Sequence, residues 1–237
     1  MPIDLFATAH ANTPRISLTA TLKAILQAVG LEFIPRKPSS DFGGLCRYRA
    51  ENLALGGADD PRRVVYFGDS ITENWKLADP EFFGPSTLNR GIAGQTTAQA
   101  LLRFRQDVIE LHPRTVHILL GTNDIADKIA PLPLEESAGN LKTMVDLARS
   151  HNIQVLLYTL PPSRFHRRDD FEARSRIVAF NSWLREYARE NQIILSDYYE
   201  VLVGPDGFYD PLLSNDGVHP NRAGYSRMRL LVEKTPQ

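Results

Sequence analysis

The chain has 237 residues, of which 43% are hydrophobic, and its formal net charge at pH 7 is −1. This composition allows a sizeable buried core and argues against intrinsic disorder, and the near-zero charge gives no indication of nucleic-acid binding. Cys46 is the only cysteine, which excludes an intrachain disulfide and a thiolate metal cluster.

The sequence carries no obvious membrane or export signal. No apolar run reaches the ~18 residues of a membrane span, so none is expected. The amino-terminal region is a poor signal peptide because Lys23 interrupts its only apolar stretch. Together with the single cysteine, this pattern favours a cytoplasmic location.

Residues 1–60 are predicted to form a partly helical extension to a main domain of residues 61–237. Ser17 could cap a first helix that Gly30 ends, and a second short helix is expected around residues 45–55. Structural packing is the leading interpretation of this extension. A homo-oligomer contact and a cover over the functional site are the alternatives.

The main domain alternates five apolar, β-prone segments with helical patterns. The predicted strands cover residues 64–67, 87–92, 116–120, 153–160 and 193–195. The predicted helices cover residues 71–77, the segment from Thr96 or Thr97 to Pro113, and residues 134–151, 171–190 and about 221–233. This alternation predicts an α/β fold whose parallel sheet is covered on both faces.

Five residues follow the predicted strands at the points where these end. Ser70 follows the first strand, Gly94 the second and Asn123 the third. Asp216 and His219 lie in the loop after the fifth strand. Because parallel sheets bind ligands at the carboxyl ends of their strands, we expect these five residues to converge.

Their chemistry fits nucleophilic catalysis. A serine hydroxyl needs a base, and His219 could take the Ser70 proton and return it to a leaving group. Asp216 precedes His219 by three positions, so it could hold the imidazole tautomer. The backbone N–H groups of Ser70 and Gly94 and the side-chain amide of Asn123 could donate to a developing oxyanion.

Four segments resemble the conserved blocks of the SGNH, or GDSL-type, hydrolases, in the family's order. They are Gly68-Asp69-Ser70-Ile71-Thr72, Gly91-Ile92-Ala93-Gly94, Gly121-Thr122-Asn123-Asp124 and Asp216-Gly217-Val218-His219-Pro220. The resemblance implies a flavodoxin-like three-layer α/β/α sandwich with strand order 2-1-3-4-5. It also implies the same roles for the five strand-end residues. The first block reads GDSI in place of GDSL, which is a conservative departure.

The region around the predicted nucleophile offers further candidates. The elbow of the α/β-hydrolases requires glycine two residues after the nucleophile, and Thr72 occupies that position, so that elbow does not fit. Asp69, Trp75 and Val218 are predicted to contact substrate. For Trp75 core packing is the favoured interpretation over pocket lining, and Asp69 is expected to be a structural or electrostatic neighbour of the site rather than a catalyst.

The combined prediction is a metal-independent serine esterase that forms an acyl-Ser70 intermediate. We expect no cofactor, and no metal site is expected because none of the six histidines pairs closely with another histidine or with the cysteine. The expected substrate is a small-molecule or carbohydrate ester with a short acyl group, such as acetyl. The alternatives are a thioesterase or lysophospholipase, a sugar O-acyltransferase, and a non-catalytic flavodoxin-like binding module.

Overall fold

The computed structural model of the protein describes residues 41–55, 60–127, 133–165 and 170–234. The predicted helix that begins at Ser17 lies outside these residues. The division between residues 1–60 and 61–237 and the suggested oligomer contact stay predictions. Among the described helices, none combines the length and hydropathy that crossing a bilayer requires.

Five strands form one parallel sheet with the order β2-β1-β3-β4-β5 and helices on both faces. The strands are β1 Val64–Gly68, β2 Thr87–Gly91, β3 Thr115–Leu119, β4 Gln154–Tyr158 and β5 Ile194–Ser196. This architecture confirms the predicted α/β/α sandwich and its strand order. Strands β1 and β3 are buried along their whole length, which is why the sequence shows them as mostly apolar segments.

The strand register brings the carboxyl ends of three strands to the same level. Gly68 at the end of β1 lies opposite Gly91 at the end of β2 and Leu119 at the end of β3. The residues that follow these three strands therefore leave the sheet side by side. This common edge is where the predicted functional residues were expected to meet.

Eight helices are present in the described residues. They are α1 Arg49–Ala54, α2 Ser70–Ala78, α3 Thr97–Asp107, α4 Thr122–Ile125, α5 Leu134–Ser150, α6 Asp170–Glu190, α7 Tyr198–Leu202 and α8 Arg222–Lys234. The single-turn helix α4 and the short helix α7 were not predicted. Both lie in segments that the sequence analysis treated as loops, and both are too short to show a helical apolar period.

Helix α3 also differs from its prediction. It begins as expected, with a capping box in which Thr96 and Gln99 bond each other's backbone N–H groups. It ends at Asp107, well before Pro113. The backbone of Val108 turns out of the helical region at φ −132°, and a short 3-10 turn over Ile109–Leu111 follows.

Trp75 belongs to the core, so the prediction that it contacts substrate is wrong. Its side chain is only 2% exposed. The indole stacks on Phe82 and Tyr225 and meets the ring of Tyr66 edge to face. The physical reason is the orientation of α2, which directs this side chain between the sheet and α8, away from the edge where Ser70 lies.

Candidate active site

Ser70 stands at a sharp turn from β1 into α2. The buried side chain of Asp69 caps the helix by accepting a hydrogen bond from the Ile71 N–H at 2.9 Å. Gly68 is required because a Cβ there would lie 2.0 Å from Thr72 Oγ1. The turn therefore places Ser70 in the first helical position, at the carboxyl edge of the sheet.

Ser70, His219 and Asp216 are joined by a chain of hydrogen bonds. His219 Nε2 lies 2.9 Å from Ser70 Oγ, and His219 Nδ1 lies 2.7 Å from Asp216 Oδ2. A carboxylate can only accept, so Nδ1 carries the proton and Nε2 accepts from the serine hydroxyl. The fold thus brings together a hydroxyl and an imidazole that are 149 positions apart.

The Asp216 carboxylate also shapes the loop that carries His219. Its Oδ1 atom accepts the backbone N–H groups of Val218 at 2.8 Å and His219 at 2.7 Å. Ser214 Oγ accepts the Gly217 N–H and donates to the His219 carbonyl. Partial burial would raise the pKa of Asp216, but hydrogen bonds from the His219 backbone and imidazole and from Val218 lower it to about 2. The carboxylate is therefore charged at neutral pH.

The three predicted oxyanion donors, on Ser70, Gly94 and Asn123, lie in neighbouring segments at the carboxyl edge of the sheet. Asn123 Nδ2 donates to Asp69 Oδ2 at 3.1 Å and to the Gln95 carbonyl at 3.0 Å. It therefore lies between the residue before Ser70 and the residue after Gly94. Within the part of the chain that the structure describes, the N–H groups of Ser70 and Gly94 donate to no other atom.

Asp124, which the sequence analysis did not single out, fastens this edge to the neighbouring helices. Its buried carboxylate accepts the Thr97 N–H at 2.9 Å, the Thr97 hydroxyl at 2.6 Å and the Ser137 hydroxyl at 2.9 Å. The available signal was its position directly after Asn123 within one of the four sequence blocks. Its role is to hold α4, and with it Asn123, against α3 and α5.

Arg103 is a second residue that the sequence analysis missed. The fully buried guanidinium donates to Gln95 Oε1 at 2.6 Å, to the Gly68 carbonyl at 3.0 Å and to Asp107 Oδ2 at 3.1 Å. It therefore ties the end of β1 to the residue that follows Gly94. The signal was present, because Arg103 and Asp107 occupy core-facing positions of α3 together with Ala100 and Phe104.

The sequence of this chain matches a known protein family. Residues 66–227 match the model of the GDSL-like Lipase/Acylhydrolase family. The chain belongs to this family. A solved GDSL-like lipase from Bacteroides thetaiotaomicron superposes with a TM-score of 0.78 at 38% identity, covering 81% of this chain and 97% of that one.

Curated relatives of this GDSL-like protein include esterases. Esterase TesA of Pseudomonas aeruginosa is 32% identical over 70% of this chain and 83% of that protein. The isoamyl acetate-hydrolyzing esterase 1 homolog of Bos taurus is 30% identical over 73% of this chain and 82% of that protein. Lipoprotein YqeF of Bacillus subtilis is 35% identical, but the match spans only 42% of this chain and 48% of that protein.

Asp69 of this GDSL-like protein is fully buried, which contradicts its predicted contact with substrate. The physical reason is that both of its oxygens face inward, toward the Ile71 N–H and the Asn123 amide. Burial raises the pKa of Asp69 to about 7, although the Ile71 hydrogen bond and His219 act in the opposite direction. Asp69 therefore positions the turn and Asn123, while substrate contact by Val218 stays a prediction.

The proton on Asp69 gives a testable pH dependence of stability. The unfolded carboxyl ionises near its ordinary pKa of 3.8, whereas the folded one does so near 7. The folded state holds the extra proton between these values, so the free energy of unfolding falls as pH rises through that window. We expect the stability of wild type relative to Asp69→Asn to decrease from about pH 4 to about pH 7 in urea unfolding. A difference that is independent of pH would contradict the assignment.

The described residues contain no cluster of side chains suited to binding a metal ion. Within residues 41–55, 60–127, 133–165 and 170–234, no three His, Cys, Asp or Glu side chains are grouped so that they could hold a metal ion. The independence from metal therefore stays a prediction, which a chelator test of activity can check.

Proposed function

We propose that this protein is a serine esterase that hydrolyses short-chain carboxylic esters through an acyl-Ser70 intermediate. Membership of the GDSL-like lipase/acylhydrolase family supports ester hydrolysis in general. The observation that carries the mechanism is the hydrogen-bond chain from Ser70 Oγ through His219 to Asp216, at 2.9 and 2.7 Å. It supplies a nucleophile, a base and an orienting carboxylate in contact with one another.

In the acylation step, Ser70 Oγ attacks the ester carbonyl carbon while His219 Nε2 takes the hydroxyl proton. The charged Asp216 stabilises the imidazolium that forms. When the tetrahedral intermediate collapses, the carbon–oxygen bond to the alcohol breaks, and His219 gives its proton to the departing oxygen. The acyl group then remains on Ser70.

The negative oxygen of the tetrahedral intermediate needs donors that are already in place. The N–H groups of Ser70 and Gly94 are suited to this because they serve no other described atom. Asn123 Nδ2 is engaged with Asp69 and Gln95. To donate to the oxyanion, Asn123 would redirect one of its two amide N–H groups from Asp69 or Gln95 toward the substrate. Losing one such donor typically costs ~10²–10³ in kcat.

Deacylation repeats the sequence with water as the nucleophile, and His219 again takes the proton. The exposure of the site supports hydrolysis over transfer to another acceptor. The His219 side chain is 32% exposed and that of Asp216 is 53% exposed, so water has direct access to the base. An acyltransferase would gain from keeping water away from the acyl-enzyme.

The preference for a short acyl group draws on one relative. The Bos taurus relative is named as a homolog of an isoamyl acetate-hydrolyzing esterase. An acetyl ester of a small alcohol or of a carbohydrate is therefore the substrate class we propose.

The test measures kcat/KM for p-nitrophenyl acetate, butyrate and octanoate, acetylated xylose and a matched acetyl thioester. We expect the acetyl esters to be the best substrates, with octanoate at least about tenfold poorer because each methylene needs its own apolar contact. A faster thioester or longer chain would indicate a thioesterase or lysophospholipase. Acyl transfer to added sugar would indicate an acyltransferase, and binding without turnover a non-catalytic module.

The acyl-Ser70 intermediate can be tested separately with a fluorophosphonate. Because the reagent needs an activated serine, we expect one adduct, on the peptide that contains Ser70, in the intact wild-type protein. His219→Ala should lose this adduct while remaining folded. Labelling at another serine, or equal labelling of the two proteins, would contradict the mechanism.

A further inference from the structure

Residues 41–48, here called the strap, lie outside the part of the chain that matches the family model, which begins at residue 66. The strap begins as a tight turn in which the Asp41 carboxylate accepts the backbone N–H groups of Leu45 and Cys46, each at 2.7 Å. It passes beside the segment 91–95, which contains Gly94. Gln95, Gly44 and Tyr48 make direct contacts between the two segments, and Arg47 links them through Glu73.

Three glutamine side chains hold the strap by its backbone. Their Nε2 atoms donate to three strap carbonyls: Gln99 to Phe42 at 3.0 Å, Gln95 to Gly43 at 2.9 Å and Gln106 to Leu45 at 2.7 Å. Gln95 is the buried member, and it also accepts from Arg103 and, through its carbonyl, from Asn123. Gln95 therefore links the strap to Asn123, one of the predicted oxyanion donors.

The strap also packs closely on the turn that contains Gly94. Gly44 has a φ of +70°, and a Cβ there would lie 2.8 Å from Gln95 Nε2 and 2.9 Å from Ile92 Cδ1. Only glycine combines this backbone conformation with so close an approach. The strap backbone therefore forms one wall against residues 92–95.

Two further contacts reach the backbone of the same segment. The buried Tyr48 hydroxyl donates to the Gly91 carbonyl. Arg47 donates to Glu73 Oε1 at 3.1 Å, and Glu73 Oε2 accepts the Ala93 N–H at 2.8 Å. The strap thus restrains residues on both sides of Gly94, directly at Gly91 and Gln95 and through Glu73 at Ala93.

We propose that the strap is a positioning element of the active site, which fixes the 91–95 turn so that the Gly94 N–H points at the developing oxyanion. The inference rests on the proposed function for its catalytic meaning. Oxyanion donors act by being fixed before the reaction, and a small displacement of a reacting or stabilising group can cost a large factor in rate. Tyr48 and Arg47 are therefore positioning residues that act through Gly91 and Ala93.

The kinetic test uses Tyr48→Phe and Arg47→Gln in the full chain, with p-nitrophenyl acetate as substrate. We expect each to lower kcat about fivefold while KM stays within about twofold, since a stabilising donor is displaced and ground-state binding is not. Arg47→Lys, which keeps the charge opposite Glu73, should restore most of kcat. Tyr187→Phe and Arg62→Gln, at a tyrosine and an ion-paired arginine outside this network, are the matched controls.

A second measurement does not depend on activity. We expect amide hydrogen exchange of the Gln95 N–H, which donates to the Ile92 carbonyl at 3.3 Å within the same turn, to be at least about threefold faster in Tyr48→Phe and Arg47→Gln than in the controls when followed by NMR. Unchanged Gln95 exchange, or an equal rise at all amides of the domain, would overturn the proposal. So would a loss that appears in KM alone. An inactive wild type with strap-dependent Gln95 exchange would instead contradict the proposed function and leave the restraint of the turn supported.

Discussion

Replacing Ser70 with alanine is expected to lower kcat for p-nitrophenyl acetate by at least about 10⁴-fold, to the level of catalysis by the remaining donors. The hydroxyl is the only atom in the hydrogen-bonded chain that can form the acyl-enzyme, and His219 has no other nucleophile within that chain. The fold should be retained, because Ser70 is only half-buried and its hydroxyl has no partner other than His219 among the hydrogen bonds of the described residues. Thermal unfolding of the variant is therefore expected to match wild type.

His219→Ala should lose activity to a similar extent, and the double variant should be no worse than either single one. This non-additivity is expected because the hydroxyl and imidazole act as a unit, so removing either one ends the same step. Ser226→Ala is a suitable control, since the only bond of its hydroxyl to a described residue is the one to the Arg222 carbonyl within α8. Full activity in folded Ser70→Ala, or multiplicative losses in the double variant, would show that another group is the nucleophile.

Much of this arrangement was accessible from the sequence because of how a parallel sheet is built. Strands buried on both faces appear as apolar runs, and the chain must leave each of them at the same edge. That rule predicts a common edge for Ser70, Gly94 and Asn123 without any knowledge of side-chain packing. The His219 loop could be predicted because Asp216 and His219 are only three positions apart.

The supporting contacts could not be predicted in the same way. The bonds from Arg103 to Gly68 and Gln95 depend on how α3 packs on the sheet, which no local pattern specifies. Trp75 was misassigned because an aromatic residue near a nucleophile fits a pocket and a core equally well until its helix is oriented. The contacts of the strap could not be predicted either, because its backbone carbonyls accept hydrogen bonds from side chains about 50 to 60 positions away in the sequence.

Asp216→Asn is expected to lower kcat by about 10³–10⁴-fold with little change in the fold of the loop. The asparagine oxygen can still accept the backbone N–H groups of Val218 and His219, which bond to Oδ1 in the wild type. Its amide nitrogen, however, would face His219 Nδ1. That ring nitrogen would then have to accept, which moves the imidazole proton to Nε2, opposite Ser70 Oγ. A protonated Nε2 cannot take the serine proton, so the nucleophile would lose its base.

Asp216→Asn changes the tautomer of His219 but keeps the backbone hydrogen bonds of the 216–219 turn. Removing the side chain would change both at once. Asp216→Ala would also remove the side-chain oxygen that accepts the backbone N–H groups of Val218 and His219, and its loss of activity should come with loosening of residues 214–219. Asp210→Asn is the matched control, because that carboxylate accepts the Leu212 N–H at 2.9 Å in the same type of turn without an imidazole partner. We expect Asp210→Asn to keep wild-type kcat and Asp216→Asn to keep wild-type thermal stability. Retention of more than about a tenth of wild-type kcat by Asp216→Asn would mean that the carboxylate acts only on the loop, because a wrong tautomer costs far more than that.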